Sequence, residues 1–130
     1  MIITLDTSVL IDIERGQKET REKLKELIMI HKSSPVILFI PYSEYYSGII
    51  NKTEKNFDYA YSFLQSFAFL EPTKKSSEIL AQMKEKYERL GKNIALADLF
   101  IASQVKEHNL LLITKDKGFE KIDEIKCILF

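Results

Sequence analysis

A single thiol, Cys127, leaves this chain without an internal disulfide or a Cys-rich zinc site. Set in the apolar end "IKCILF", it reads as a buried structural residue. No stretch of 18 uncharged apolar residues occurs, and no basic start leads through an apolar core to a small-residue cleavage site. Neither a membrane-spanning helix nor a secretory signal is therefore expected, and the cytosol is the expected compartment. Low-complexity tracts are absent too. Net charge is also missing: 19 Lys and Arg balance 19 Asp and Glu, which argues against gripping a polyanion through a global field. Gathering four of those acids into one site would set the 19 bases against 15 acids, a balance of +4 elsewhere.

What is present suffices for one domain over residues 1–130, with 45% hydrophobic and 11% aromatic residues to build a core. Continuous apolar or β-branched runs recur at Ile2–Leu5, Val36–Ile40, Phe67–Leu70, Leu110–Thr114 and Lys126–Phe130. Being continuous rather than alternating, they predict buried parallel strands. Helical periodicity predicts helices over Gln17–Lys32, Glu54–Gln65, Ser76–Leu90 and Asn93–Val105, with another beginning at Thr7. Gly16, Pro35, Pro41, Pro72, Gly91 and Gly118 fall at the predicted boundaries. Strand and helix in alternation give a doubly wound α/β sheet with right-handed crossovers, whose ligands bind at the carboxyl ends of the strands.

Carboxylates cluster at those ends. Asp6 closes the first strand in "LDTSVL"; as a lone feature it is a helix N-cap. Glu44, in "YSEYYSG", is placed in the first turn of the helix after the second strand, where the helix dipole favours an acid. Asp116, in "LITKDKGF", sits just past the fourth strand, a common turn position. Asp98 is different. Within "NIALADLFIASQV" it shares a stripe with Ile94, Ala95, Ile101, Ala102 and Val105, so it is predicted on the buried face. An ionised carboxylate there costs several kcal/mol unless compensated. Two carboxylates about 5 Å apart repel by roughly 3 kcal/mol at an effective dielectric near 20, so a converging set needs a cation. Oxygen-only ligands point to Mg²⁺ or Mn²⁺ rather than zinc.

The order and spacing of these motifs resemble the PIN domain, and within it the short ribonuclease toxins of the VapC type. The resemblance rests on "DTSVLI" from Asp6, "SEYYSG" with Glu44 four residues before Gly48, "GKNIALADLFIAS" with Gly91 seven before Asp98, and "LLLITKDKGFEKI" with Asp116 eighteen after Asp98. It implies a three-layer α/β/α sandwich with a five-stranded parallel sheet. It also implies that Asp6, Glu44, Asp98 and Asp116 are the acidic quartet, both catalytic and metal-binding, with Thr7 and Thr114 in support. Members often carry a further acid before the Phe of the last motif, where this chain has Gly118 before Phe119.

The activity so implied is metal-dependent hydrolysis of RNA phosphodiesters, by the toxin of a type II toxin–antitoxin pair. A metal-bound water attacks, and the ion neutralises charge building on the phosphate. Asp6 and Asp98 are expected as principal ligands, with Glu44 and Asp116 completing the shell, directly or through water. Lys115, Lys117, Lys74, Lys75, Lys92 and Arg15 are candidates to meet the RNA backbone. Tyr42, Tyr45 and Tyr46 suit core packing or a partner groove better than base stacking. The aromatic surplus over Glu54–Leu90 suggests a homodimer face or a groove for an antitoxin helix. The alternative is a non-catalytic module of the same fold that binds RNA or protein. Other enzymes fit worse. Ser8 stands where a phosphoaspartate phosphatase needs a second Asp, and "FLEPT" offers only Glu71 for a receiver domain. His31 and His108 fall on predicted helix tails rather than forming the acid–base pair of a metal-free ribonuclease. There is no Gly-rich phosphate loop and no nucleophile elbow.

Overall fold

The computed structural model describes all 130 residues. The elements run β1 (Ile3–Leu5), α1 (Thr7–Glu14), α2 (Lys18–His31), β2 (Val36–Ile37), α3 (Phe39–Ile49), α4 (Glu54–Gln65), β3 (Ala68–Phe69), α5 (Lys74–Arg89), α6 (Leu96–Glu107), β4 (Leu111–Thr114), a short 3-10 helix (Lys117–Lys121) and β5 (Lys126–Leu129). All five strands pair in parallel, in the order β3-β2-β1-β4-β5. The predicted doubly wound α/β/α sandwich is the fold found. Strand order reverses between β1 and β4, so the crevice of the fold opens above Leu5 and Thr114.

The alternation of side chains along the central strands divides the core into two. Ile3 and Leu5 of β1, with Leu111 and Ile113 of β4, pack against Val9 and Leu10 of α1, Leu24 of α2 and Leu64 of α4. On the opposite face Leu112 meets Ile79 and Met83 of α5 and Ile101, Ala102 and Val105 of α6. Both faces are thus covered, which is why the central strands read as unbroken apolar runs.

Three expectations are corrected. The run Val36–Ile40 is a strand only to Ile37, because Leu38 turns away and Phe39 already begins α3. Pro41 therefore lies inside a helix, third in its first turn, where a missing N–H leaves no intrahelical bond unmade. Predicted as a buried strand, Phe67–Leu70 contributes only the exposed pair Ala68 and Phe69 at the open edge of the sheet. Phe69 finds cover in an edge-on contact with Tyr42, ring centroids 5.1 Å apart, rather than in the core. Finally, α6 starts at Leu96, so Asn93–Ala95 lie outside the helix and Asp98 falls in its first turn.

Candidate active site

Asp6 is the rigid centre of the site. It caps α1, one carboxylate oxygen accepting from the Thr7 N–H at 2.8 Å and the other from the Thr114 hydroxyl at 2.7 Å. Its own N–H continues the sheet by donating to the Ile113 carbonyl at 2.9 Å. The residue is only 8% exposed, and this burial pushes its pKa up, with Glu44 and Asp116 adding like-charge repulsion; the two hydrogen bonds oppose the rise. The cap expected of a lone Asp and the candidate ligand are one residue.

Thr114, fully buried at the end of β4, ties two acids together. While its hydroxyl donates to Asp6, the same oxygen accepts from the Asp116 N–H at 3.0 Å. Asp116 is exposed just past the strand end, as predicted, and its Oδ1 accepts from the Gly118 N–H at 2.8 Å. A Cβ on Gly118 would lie 3.1 Å from that same Oδ1.

Glu44 is exposed and stands sixth in α3, in the second turn rather than the first, because the helix begins at Phe39. The helix-dipole explanation for an acid here therefore weakens. What holds it is the Thr7 hydroxyl, which donates to Oε1 at 2.7 Å and links Glu44 to the residue next to Asp6. A residue the motifs did not single out sets the start of this helix. Gln104, completely buried on α6, accepts from the Phe39 N–H at 3.3 Å and donates to the Leu70 carbonyl at 3.1 Å. Amide side chains at such tertiary positions carry no local sequence signal.

Asp98 is half-buried rather than buried. The apolar stripe predicted for it continues below as Ile101, Ala102 and Val105, all in the core, so the carboxylate stands where that stripe reaches the mouth of the crevice. Desolvation raises its pKa most, followed by the charges of Asp116, Asp6 and Glu44. The four acids thus lie within electrostatic reach of one another. No three of them close on a single point tightly enough to hold an ion by carboxylates alone. The donors present are all oxygens, the chemistry that a hard divalent cation takes.

The basic candidates separate. Lys115 is engaged, its ammonium 2.8 Å from Asp12, which in turn accepts from Thr20. Thr73 and Ser76 at the start of α5 donate to Glu107. That contact puts Lys74 and Lys75 at the end of α6 remote from Asp98, about 13 Å along the helix, so they do not face the site. Lys92 lies over the Tyr87 ring at 5.7 Å. Lys117, beside Asp116, and Arg15 are exposed and form no ion pair. Tyr45 packs in the core, while Tyr46 is exposed and meets Tyr42, Phe57 and Tyr61 ring to ring. Neither His31, whose ring meets the amino terminus at 3.3 Å, nor His108, 3.2 Å from Glu107, takes part in the acid site.

A parallel sheet with four carboxylates around its switch point, just past β1 and β4 and on α3 and α6, makes this an α/β protein with an acidic crevice. The model of the PIN domain matches residues 3–125, and the chain belongs to that family. Similar solved structures include VapBC2 from Rickettsia felis bound to a DNA fragment from its promoter, with 23% identity and a TM-score of 0.86, covering 100% of this chain and 99% of that one. FitAcB from Neisseria gonorrhoeae is 26% identical with a TM-score of 0.81, over 98% and 96% of the two chains. VapBC-1 from nontypeable Haemophilus influenzae is 22% identical with a TM-score of 0.84, over 99% and 98%. No match is found among curated protein sequences. No helix of the chain is long and apolar enough to cross a membrane.

Proposed function

We propose that this PIN domain is a metal-dependent endoribonuclease and the toxin of a toxin–antitoxin pair of VapBC type. The observation that carries the reading is the acidic quartet itself. Asp6 and Asp98 both have raised pKa values, through burial first and then the charges of neighbouring acids, in a crevice whose only candidate ligands are oxygens. Such a set is unfavourable alone and favourable around a divalent cation. Asp6 and Asp98 would hold Mg²⁺ or Mn²⁺, with Glu44 and Asp116 reached directly or through water. Bound there, the ion supplies a water of lowered pKa and positive charge against the phosphate.

The chain's own residues do the rest. Thr7 and Thr114 fix Glu44 and Asp6 by donating to their carboxylates, so neither acid has to be reoriented at the moment of reaction. The exposed carboxylate of Glu44 or Asp116 takes the proton of the attacking water. Gly118 offers no side chain on the Asp116 side, which supports one ion rather than two. Lys117 and Arg15 are the cations free to meet the RNA backbone, whereas Lys115 is held by Asp12. An antitoxin chain, as in the VapBC relatives, and a second copy of this chain are the proposed partners. The exposed rings of Tyr46, Tyr59, Tyr61 and Phe69 supply apolar area for them.

The test is cleavage of mixed single-stranded RNA by the purified protein in Mn²⁺, beside EDTA and the Asp6→Asn variant. Cleavage in Mn²⁺ only, and lost in Asp6→Asn, is expected. Cleavage surviving both controls refutes the metal-nuclease reading, and RNA binding without cleavage makes the fold a binding module.

A further inference from the structure

Of the six α-helices, four are capped by the side chain of the residue before them: Asp6, Gln17, Thr53 and Thr73. The other two are α3 and α6, which carry Glu44 and Asp98. Leu38, standing before α3, has no side-chain oxygen to offer the backbone N–H groups of the first turn, and Pro41 in that turn has no N–H at all. Nothing local fixes where α3 begins.

Gln104 does so from a distance. Completely buried on α6, it accepts through Oε1 from the Phe39 N–H at 3.3 Å and donates through Nε2 to the Leu70 carbonyl at 3.1 Å. Leu70 itself donates to the Ile37 carbonyl at 3.0 Å, so one amide joins α6 to the chain leaving β2 and to the chain leaving β3. A backbone N–H can only donate and a carbonyl can only accept, which gives the amide a single orientation here. An apolar side chain of its size would meet neither demand. The rings of Phe39 and Phe100 close the same joint, stacked with centroids 5.4 Å apart and planes 10° apart.

Both acids hang from this joint by short lengths of helix. Asp98 lies six residues before Gln104, about 9 Å along α6, and Glu44 lies five residues after Phe39, about 7.5 Å along α3. The Thr7 hydroxyl holds the tip of Glu44 from the α1 side; the joint holds the helix behind it to α6. We propose that Gln104 is a positioning residue, which sets the distance of Glu44 from Asp98 by fixing the start of α3. What that distance serves rests on the metal-nuclease reading. Replacing a residue that orients the ligands of a metal changes affinity by about 10- to 100-fold, so the effect is measurable.

Calorimetry measures Mn²⁺ binding to the unsubstituted protein, Gln104→Met, Glu44→Gln and the double variant. Each single change should weaken binding about tenfold, and the double variant should be no weaker than either, because Gln104 acts only through Glu44. Met83→Ala, a destabilising change in the core of α5, should leave the affinity unaltered. Hydrogen exchange in EDTA needs no metal. There Gln104→Met should speed exchange over the first half of α3 about tenfold and leave α1 as it was, and Met83→Ala should not single out α3. Phe39→Pro removes the same bond from the donor's side, at a helix position that tolerates proline, and replaces Gln104→Met in both measurements if that variant fails to fold. Losses of Mn²⁺ affinity that add in the double variant, or exchange over α3 no faster than in the unsubstituted protein, overturn the proposal. An unsubstituted protein that takes up no Mn²⁺ refutes the metal reading instead, and exchange over α3 then decides alone for Gln104.

Discussion

Replacing Asp98 by Asn removes one of four mutually repelling charges while keeping the shape of the side chain. Like charges about 5 Å apart at an effective dielectric near 20 repel by roughly 3 kcal/mol. Asp98 is itself half in water and Glu44 and Asp116 face it, so the whole repulsion is screened to about 1 kcal/mol. Against this, Asp98 lies in the first turn of α6, whose dipole favours an acid by about 0.5 kcal/mol. The difference leaves Asp98→Asn about 0.5 kcal/mol more stable than the unsubstituted protein in EDTA at pH 7, a rise of about 2 °C in melting temperature. The sign with pH follows from the raised pKa. A carboxyl that titrates higher folded than unfolded leaves its stability intact below the ordinary 3.8 and loses it as pH climbs through the folded value. The advantage of the Asp98→Asn variant should therefore vanish in acid and grow towards neutrality. Mn²⁺ should reverse the ranking at pH 7 by raising the melting temperature of the unsubstituted protein alone. Differential scanning fluorimetry across pH, with and without Mn²⁺, checks all three. An Asp98→Asn variant less stable than the parent at pH 7 in EDTA refutes the repulsion argument and makes Asp98 a structural acceptor.

Thr114→Val keeps the volume but deletes the hydroxyl shared by Asp6 and the Asp116 N–H, and should cost about 2 kcal/mol in urea denaturation and lower the cleavage rate; an unchanged midpoint would show that water replaces the hydroxyl. Lys115→Ala should cost only about 0.5 kcal/mol, since the side chain is 44% exposed, and should leave RNA affinity nearly unaltered. Asp12 is held below its ordinary range chiefly by the Lys115 bond, so the stability it lends is present above 3.8 and is lost as pH falls through its lowered value. In Lys115→Ala the acid limb of the stability profile should flatten, and a large loss of RNA affinity instead would place Lys115 on the substrate.

Residues at strand ends are the legible part of the site. Asp6 and Asp116 follow central strands buried on both faces, and a continuous apolar run ending in an acid leaves little choice about where that acid emerges. The second strand is harder, because "VILFIPYSE" is equally apolar on either side of Leu38 and only the route of the chain across the sheet separates strand from helix. Reading the whole run as strand puts Glu44 one turn too early. At Asp98 the periodicity runs too far back. Ile94 and Ala95 continue the apolar stripe in number, but Ala95 has extended backbone angles and no side-chain cap marks the true start. An acid that reads as buried in mid-helix is one turn from the end and half in water. The part played by Gln104 is invisible in the sequence, since its bonds exist only once distant elements are packed.

The bond between Thr114 and Asp6 spans 108 residues, and β4, which carries Thr114, is the neighbour that completes the central strand. A ribosome making about 5–20 residues per second therefore lays down Asp6 several seconds before the group that orients it. During that interval β1 has an unpaired edge and Asp6 has only the Thr7 N–H beside it. Competence arrives late and all at once, with the strand that closes the sheet. On the nuclease reading, the chain is in this way kept from attacking the message that encodes it until β4 has been made, and a partner already waiting has the whole of that delay in which to meet it.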